Sequence, residues 1–427
     1  MGFTRTLRVI SGVVLTGALV LTSAPNAAAD RTRNDQWALK SLNAESIWKI
    51  TKGKGQTVAV IDDGVNPSHP DLEGSVLKGK DFIDGDSSTV PKKGDDHGTA
   101  MAGIIAGHGH GAGNQDGIMG LAPEARILPV RANGSTSEQL TQAIKYAVDR
   151  GASVINISQG GSTYSADDAE AVAYALKRNV PVFASTGNSG KAVEYPARYP
   201  GMVPVGGLQK NGTVWEKSNK GKQTLLTAPA VGVVTTGGPS NLNGYGIGDG
   251  TSDATAYTSA AAALVRSKYP DLTAGQIVNR LTKTAQMPAS KKGGELPDEQ
   301  YGYGSIRPLA ALQEDVPKGS TFGPLSVPQS LKDEAKVAEK ERESKAQQEQ
   351  ADKEFVFLWA ITGIVALLFV GGIVLVVVLV RRRKRKRNGG GPGDPGAYGG
   401  YPYPPGQVPQ QGPYAQQAAP PQHPPYN

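Results

Sequence analysis

The chain has 427 residues, with 45 Lys and Arg against 38 Asp and Glu, a net charge of +7. It contains no cysteine, which excludes disulfides, thiolate metal sites and cysteine nucleophiles. The positive charge is local: Arg381–Arg387 (RRRKRKR) is wholly basic, whereas residues 30–354 hold 36 basic and 37 acidic side chains, a balance that argues against a diffuse nucleic-acid-binding surface.

In chain order, residues 1–29 have the pattern of a secretory signal: Arg5 and Arg8, the apolar stretch Val9–Thr22, and Ala27-Ala28-Ala29 before the expected cleavage point. After a short extension containing Gln36–Lys54, the β-branched run Thr57–Ile61 predicts a buried strand. Arg126–Val130, Ser153–Ile157 and Val180–Ala184 predict further strands, and Val203–Val205 a weaker one. Helical patterns over Ser137–Asp149 and Ala166–Arg178 alternate with them, and an Ala-rich helix is expected over Thr255–Lys268. This alternation predicts an α/β domain of three layers with a mostly parallel central sheet, whose sites lie beyond the carboxyl ends of the strands.

The C-terminal part has a different character. Gln313–Ser330, with its prolines and glycines, is expected to be a linker, and Leu331–Glu354 a solvated helical stalk, so that 313–354 separates domain from membrane. Phe355–Val380 carries no charge over 26 residues, enough to cross a hydrocarbon core of roughly 30 Å. The basic run directly after it places the C-terminus on the cytoplasmic side and residues 30–354 outside. The rest of the segment 381–427 is a tail whose last 40 residues hold 9 Gly, 11 Pro and 5 Tyr, too few core-forming side chains to fold.

Four motifs fall where the sheet predicts chemistry. Asp62-Asp63-Gly64 follows the first strand. His97-Gly98-Thr99 follows a loop, Thr186-Gly187-Asn188 follows a later strand, and Gly250-Thr251-Ser252 precedes the Ala-rich helix. Each has an ordinary reading alone: Asp-Gly and Asn are turn residues, and Ser starts helices. Asp63 is a rival carboxylate, and His69, His108, His110 and His423 are rival imidazoles. His108-Gly109-His110 is a weak zinc pattern without a clear carboxylate partner. Taken together, in this order and with separations of 35 residues (Asp62 to His97), 155 (His97 to Ser252) and 64 (Asn188 to Ser252), the motifs resemble those of the subtilisin-like serine proteases. The resemblance covers about residues 35–312.

It implies an endopeptidase domain over 30–312 that uses Asp62, His97 and Ser252 as an Asp-His-Ser triad, with Asn188 as oxyanion donor. Ser158-Gln159-Gly160-Gly161 would be the segment that pairs with substrate backbone. The substrate would be a protein or peptide, and the chemistry requires no cofactor. Structural calcium, which many such proteases bind, is not indicated by any compact acidic loop.

The short N-terminal extension and C-terminal span narrow the resemblance to the mycosins, membrane-anchored subtilases of type VII (ESX) secretion. This implies a protease on the outer face of the cell membrane near the secretion complex. The chain departs from the family at Asp253, where an apolar residue is usual, at Ala256, where Pro is usual, and at Gln159, a commonly apolar position. It also lacks the cysteines that mycosins commonly carry. These departures motivate an alternative: a mainly structural component of the secretion complex with restricted proteolytic activity.

Overall fold

A computed structural model describes residues 32–133, 137–238 and 244–387. The signal-like segment 1–29 and the Pro/Gly/Tyr-rich tail lie outside them. The chain divides into two compact units, one ending at Arg342 and one beginning at Glu343.

The first unit opens with two short helices, α1 (Trp37–Ser41) and α2 (Ala44–Trp48), and then enters the sheet. Its strands are β1 (Thr57–Asp62), β2 (Lys80–Asp81), β5 (Arg126–Arg131), β6 (Val154–Ile157), β7 (Val182–Ser185), β8 (Met202–Leu208) and β9 (Leu226–Pro229). They form one seven-stranded sheet in the order β2-β5-β1-β6-β7-β8-β9. Every pairing in it is parallel. The hairpin β3 (His108–His110)–β4 (Asp116–Met119) and the pair β10 (Val233–Thr235)–β11 (Gly246–Gly248) stand outside it.

Side chains alternate across the pleat with period two. Val58 and Val60 of β1 join one buried cluster, while Ala59 and Ile61 join another. The first cluster takes in α3 (His97–Ala106), α6 (Thr251–Lys268) and α7 (Ala274–Lys283). The second takes in α4 (Ser137–Asp149) and α5 (Ala166–Lys177). The sheet is therefore covered on both faces, as a parallel sheet of near-continuous apolar strands requires. Helix α6 is buried from Thr251 through Val265. Its run Ala260–Ala263 lets it pack closely under the sheet.

The strands expected from sequence are present, with each end matching or differing by at most three residues. The Ala-rich helix is longer than expected. It begins at Thr251, not Thr255, because extended Gly250 (φ −176°, ψ 149°) delivers the chain directly into the first turn. Ser252 therefore lies inside the helix rather than ahead of it. Helix α7, capped reciprocally by Thr273 and Gln276, and α8 (Pro308–Gln313) complete the body.

Helix α9 runs from Gln329 to Arg387, so the charged stalk and the apolar segment are one continuous helix, which also takes up the last residues of the expected linker. Among the described residues it is the one helix long and apolar enough to cross a membrane, and none of its most apolar stretch is buried in protein.

Candidate active site

Strands β1, β6 and β7 are neighbours in the sheet, and because they run parallel their carboxyl ends open on one edge. Asp62 ends β1, Ser158 follows β6, and Asn188 lies three residues past the end of β7. Helices α3 and α6 begin at the same edge, with His97 and Ser252 in their first turns. Residues far apart in sequence are thus gathered by topology alone.

Asp62 is buried, and its Oδ1 lies 2.8 Å from His97 Nδ1. The same oxygen accepts from the Asp63 N–H at 2.9 Å and from Gln159 Nε2 at 3.1 Å. The Gln159 side chain is thus turned onto the Asp62 carboxylate. The rival carboxylate, Asp63, is engaged elsewhere. Its oxygens accept from the backbone N–H groups of His97 (3.2 Å) and Gly98 (2.8 Å), tying down the N-terminus of α3. Gly98 is required by the approach of the two segments, since a Cβ there would lie 2.2 Å from the Gly64 carbonyl oxygen and 2.9 Å from Asp62 Cβ. Beneath them, buried Arg131 donates to the Asp63 carbonyl at 2.9 Å and pairs with Asp81 and Asp84.

Ser252 is held by a buried polar relay. Ser259 Oγ donates to Asn156 Oδ1 (3.0 Å), Asn156 Nδ2 to Ser158 Oγ (3.0 Å), and Ser158 Oγ to the Ser252 carbonyl (3.1 Å). The Ser252 hydroxyl donates back to the Ser158 carbonyl at 2.9 Å. The register of α6 on β6 is thereby fixed at the serine. Opposite, Asn188 Oδ1 accepts from both the backbone N–H (2.9 Å) and the hydroxyl (2.8 Å) of Thr251. This commits the amide oxygen and leaves Nδ2 beside the Gly250–Ser252 backbone. The Ser252 N–H, in the first turn of α6, has no intrahelical acceptor. Gly161 exchanges two backbone hydrogen bonds with Tyr195 (2.8 and 2.9 Å), so the Ser158–Gly161 segment is paired on one side.

The electrostatics follow from burial and proximity. The Asp62 charge pulls the His97 imidazole up to about 9, against the burial that opposes it. Burial first, and the neighbouring Asp62 charge second, push Asp63 up to about 6. Asp253 is 3% exposed, and burial lifts its carboxyl to about 7. The His97 side chain remains 41% exposed, open to whatever enters above the serine.

The family model for the Subtilase family matches residues 53–304. The chain belongs to the subtilase family. It is a subtilisin-like serine endopeptidase by that membership. It is 39% identical over 239 residues to the thermophilic serine proteinase of Bacillus sp. (strain AK1), a match covering 55% of this chain and 58% of that protein, so the chain spans little more than half of that relative. It is 36% identical to thermitase of Thermoactinomyces vulgaris, over 55% of this chain and 82% of thermitase.

Among solved structures, MycP1 from Mycobacterium smegmatis superposes with a TM-score of 0.59 at 28% identity, covering 67% of this subtilase and 87% of MycP1. The MycP3 protease from the type VII (ESX-3) secretion system gives 0.57 at 33% identity, over 65% and 88% of the two chains. This subtilase is thus related to the mycosins of ESX secretion.

The structure brings Asp62, His97, Asn188, Ser252 and Ser158–Gly161 to one edge. His108 and His110 lie elsewhere, on β3, where His110 Nδ1 meets buried Asp71 at 2.6 Å. Among the described residues no group of three or more His, Asp or Glu could hold a metal ion. Sequence reasoning missed Thr251, Asn156 and Arg131, whose partners lie 63, 103 and 68 residues away. Only Thr251, adjacent to the serine, carried a local signal.

Proposed function

We propose that this subtilase hydrolyses peptide bonds through an acyl-enzyme, with Asp62, His97 and Ser252 as its triad. The observation that carries the reading is the 2.8 Å Asp62–His97 contact at the strand edge where α6 presents Ser252. The Ser252 hydroxyl turns about χ1 from the Ser158 carbonyl toward His97 Nε2 and attacks the scissile carbonyl carbon as Nε2 takes its proton. Asp62 keeps the proton on Nδ1 and stabilises the imidazolium. The carbonyl oxygen becomes an oxyanion and receives hydrogen bonds from Asn188 Nδ2 and the Ser252 N–H. A donor of this kind contributes about 2.7–4 kcal/mol to lowering the barrier in subtilisin. His97 then returns the proton to the leaving amine, and water repeats the sequence on the ester. Substrate backbone pairs with Ser158–Gly161.

The apolar segment Phe355–Val380 anchors the chain in the cell membrane by a single span. The Arg381–Arg387 run lies inside and the protease body outside. With MycP1 and MycP3 as structural neighbours, the physiological setting is the type VII secretion complex, and the substrates are proteins passing through it.

The test is labelling of the full chain by a fluorophosphonate probe, with Ser252→Ala as control. Labelling that depends on Ser252 is expected, and its absence on folded protein overturns the reading. The buried Asp253 carboxyl beside the nucleophile favours a second reading, a mainly structural role in the complex with restricted proteolysis. Export that survives Ser252→Ala but not loss of the whole chain would support it.

A further inference from the structure

We propose that Glu194 makes this subtilase selective for lysine or arginine as the residue that contributes the scissile carbonyl. The inference rests on the serine-protease reading above.

Glu194 bridges the two walls of the acyl-side subsite. Its backbone N–H donates to the Thr186 carbonyl at 3.0 Å, two residues before Asn188, and the next residue, Tyr195, is laddered to Gly161. Its half-buried side chain thus lies between the segment that would carry substrate backbone and the turn that carries the oxyanion donor. Both walls are glycine at that level. A Cβ built on Gly160 would stand 3.2 Å from Glu194 Oε2, and one built on Gly187 would stand 2.9 Å from Oε2 and 2.8 Å from Cδ. Gly187 also has φ +108°, which disfavours any side chain there. The two glycines leave a slot, and the carboxylate lies in it. A substrate residue whose backbone pairs with Ser158–Gly161 and whose carbonyl faces Asn188 sends its side chain into this slot, on the side of Ser252 away from His97.

The carboxylate is also oriented in advance. Glu194 Oε1 accepts from Asn219 Nδ2 at 3.1 Å. The Asn219 amide cannot turn over, because its Oδ1 accepts from Ser189 N, Ser189 Oγ and Lys191 N, each at 2.9 Å. Among the described residues no Lys or Arg forms an ion pair with Glu194. Oε2, with no donor among the described residues, is left to a ligand. A fixed carboxylate with one oxygen committed and the other unfilled suits an ammonium or guanidinium group, which forms a charge-assisted bond in a partly desolvated slot. A phenylalanine or leucine there would bring apolar surface against the carboxylate and give it no donor.

The experiment uses the full chain in detergent, with active sites counted by fluorophosphonate titration. Matched peptides differ only in Lys, Arg, Phe or Leu before the scissile bond. Lys and Arg peptides are expected to show kcat/KM at least about tenfold above Phe and Leu. Glu194→Gln, which keeps an oxygen for Asn219, is expected to lower the Lys and Arg values by roughly 10- to 100-fold and to reduce their ratio to Phe by at least about tenfold. Cleavage without cationic preference in the unsubstituted protein, or a ratio unchanged in Glu194→Gln, overturns this assignment and leaves the protease reading intact. Folded protein that neither labels nor cleaves any peptide overturns both.

Discussion

Asp253 directly follows Ser252, the proposed nucleophile, and replacing it with asparagine tests how much charge the site holds. The carboxyl is almost wholly buried, and burial raises it from 3.8 to about 7. A carboxyl raised on folding costs nothing below its unfolded value, where both states are protonated. The cost accumulates as pH rises from 3.8 and levels off above about 7. At ~1.4 kcal/mol per pKa unit, ionised Asp253 destabilises the fold by ~4 kcal/mol above neutrality, and by less than ~1 kcal/mol at pH 4. Asn removes this pH-dependent part while keeping the shape. Thermal unfolding in a Ser252→Ala background, which suppresses self-digestion, should show the Tm of Asp253→Asn pulling ahead by roughly 10 °C between pH 4 and pH 8. Asp253 also helps raise His97, so in the protein with Ser252 intact the same substitution should move the pH profile of kcat/KM to lower pH. Parallel Tm curves for the two proteins across this range would refute the buried-charge argument.

Two further outcomes follow from the same geometry. His97 must be neutral to accept a proton, and the Asp62 charge raises it to about 9, so kcat/KM should climb with pH to a midpoint near 9. A midpoint at 6.5 would show that the Asp62 contact is not maintained in solution. Gly98→Ala would place a methyl 2.2 Å from the Gly64 carbonyl oxygen and force the Asp62 loop away from His97. The expected result is a stability loss of ~1–3 kcal/mol with kcat/KM reduced by ~100-fold, read by thermal unfolding and peptide hydrolysis. Unchanged turnover would mean that the loop gives way without moving Asp62.

Much of the site was legible because its signals are local. Thr57–Asp62 is a β-branched run ending in Asp, and Gly98 and Gly250 flank or adjoin the residues they serve, so each motif can be recognised within a few positions. The relay Ser259–Asn156–Ser158–Ser252 has no such signature. It exists because α6 lies across β6 in one register, and two of its links span 103 and 94 residues. The same holds for Arg131, which lies one residue past the expected strand Arg126–Val130 and shows no role until the Asp63 carbonyl and Asp81 are placed around it. Helix α6 starts four residues before the point its sequence suggests. Gly and Ser normally mark a helix boundary, whereas here extended Gly250 serves as the N-cap and the serine is already helical. Strands β10 and β11 span three residues each, too short for a period-two pattern to stand out.

The charge distribution bears on how substrates are chosen. Over residues 30–354 the chain is balanced, with 36 basic and 37 acidic side chains. Such a body has little net charge with which to steer a charged substrate from afar, and over distances beyond about 8 Å salt screens what remains. The carboxylates at the site act at contact range. Asp62 is spent on His97, Gln159 and the Asp63 N–H, and Asp63 on the start of α3. Asp62 commits only its Oδ1, its buried Oδ2 having no partner among the described residues, and Glu194 on the acyl side and Asp253 beside Ser252 are likewise not committed at both oxygens. Glu194 is half exposed and ready to meet a cation, whereas Asp253 is buried and held near the point of neutralisation. A negative charge beside Ser252 opposes the oxyanion, so a carboxyl raised to about 7, half protonated at neutral pH, hinders the reaction less than one fully ionised there. Local chemistry in the slot, rather than the field of the whole domain, therefore sets which peptide bonds are cut.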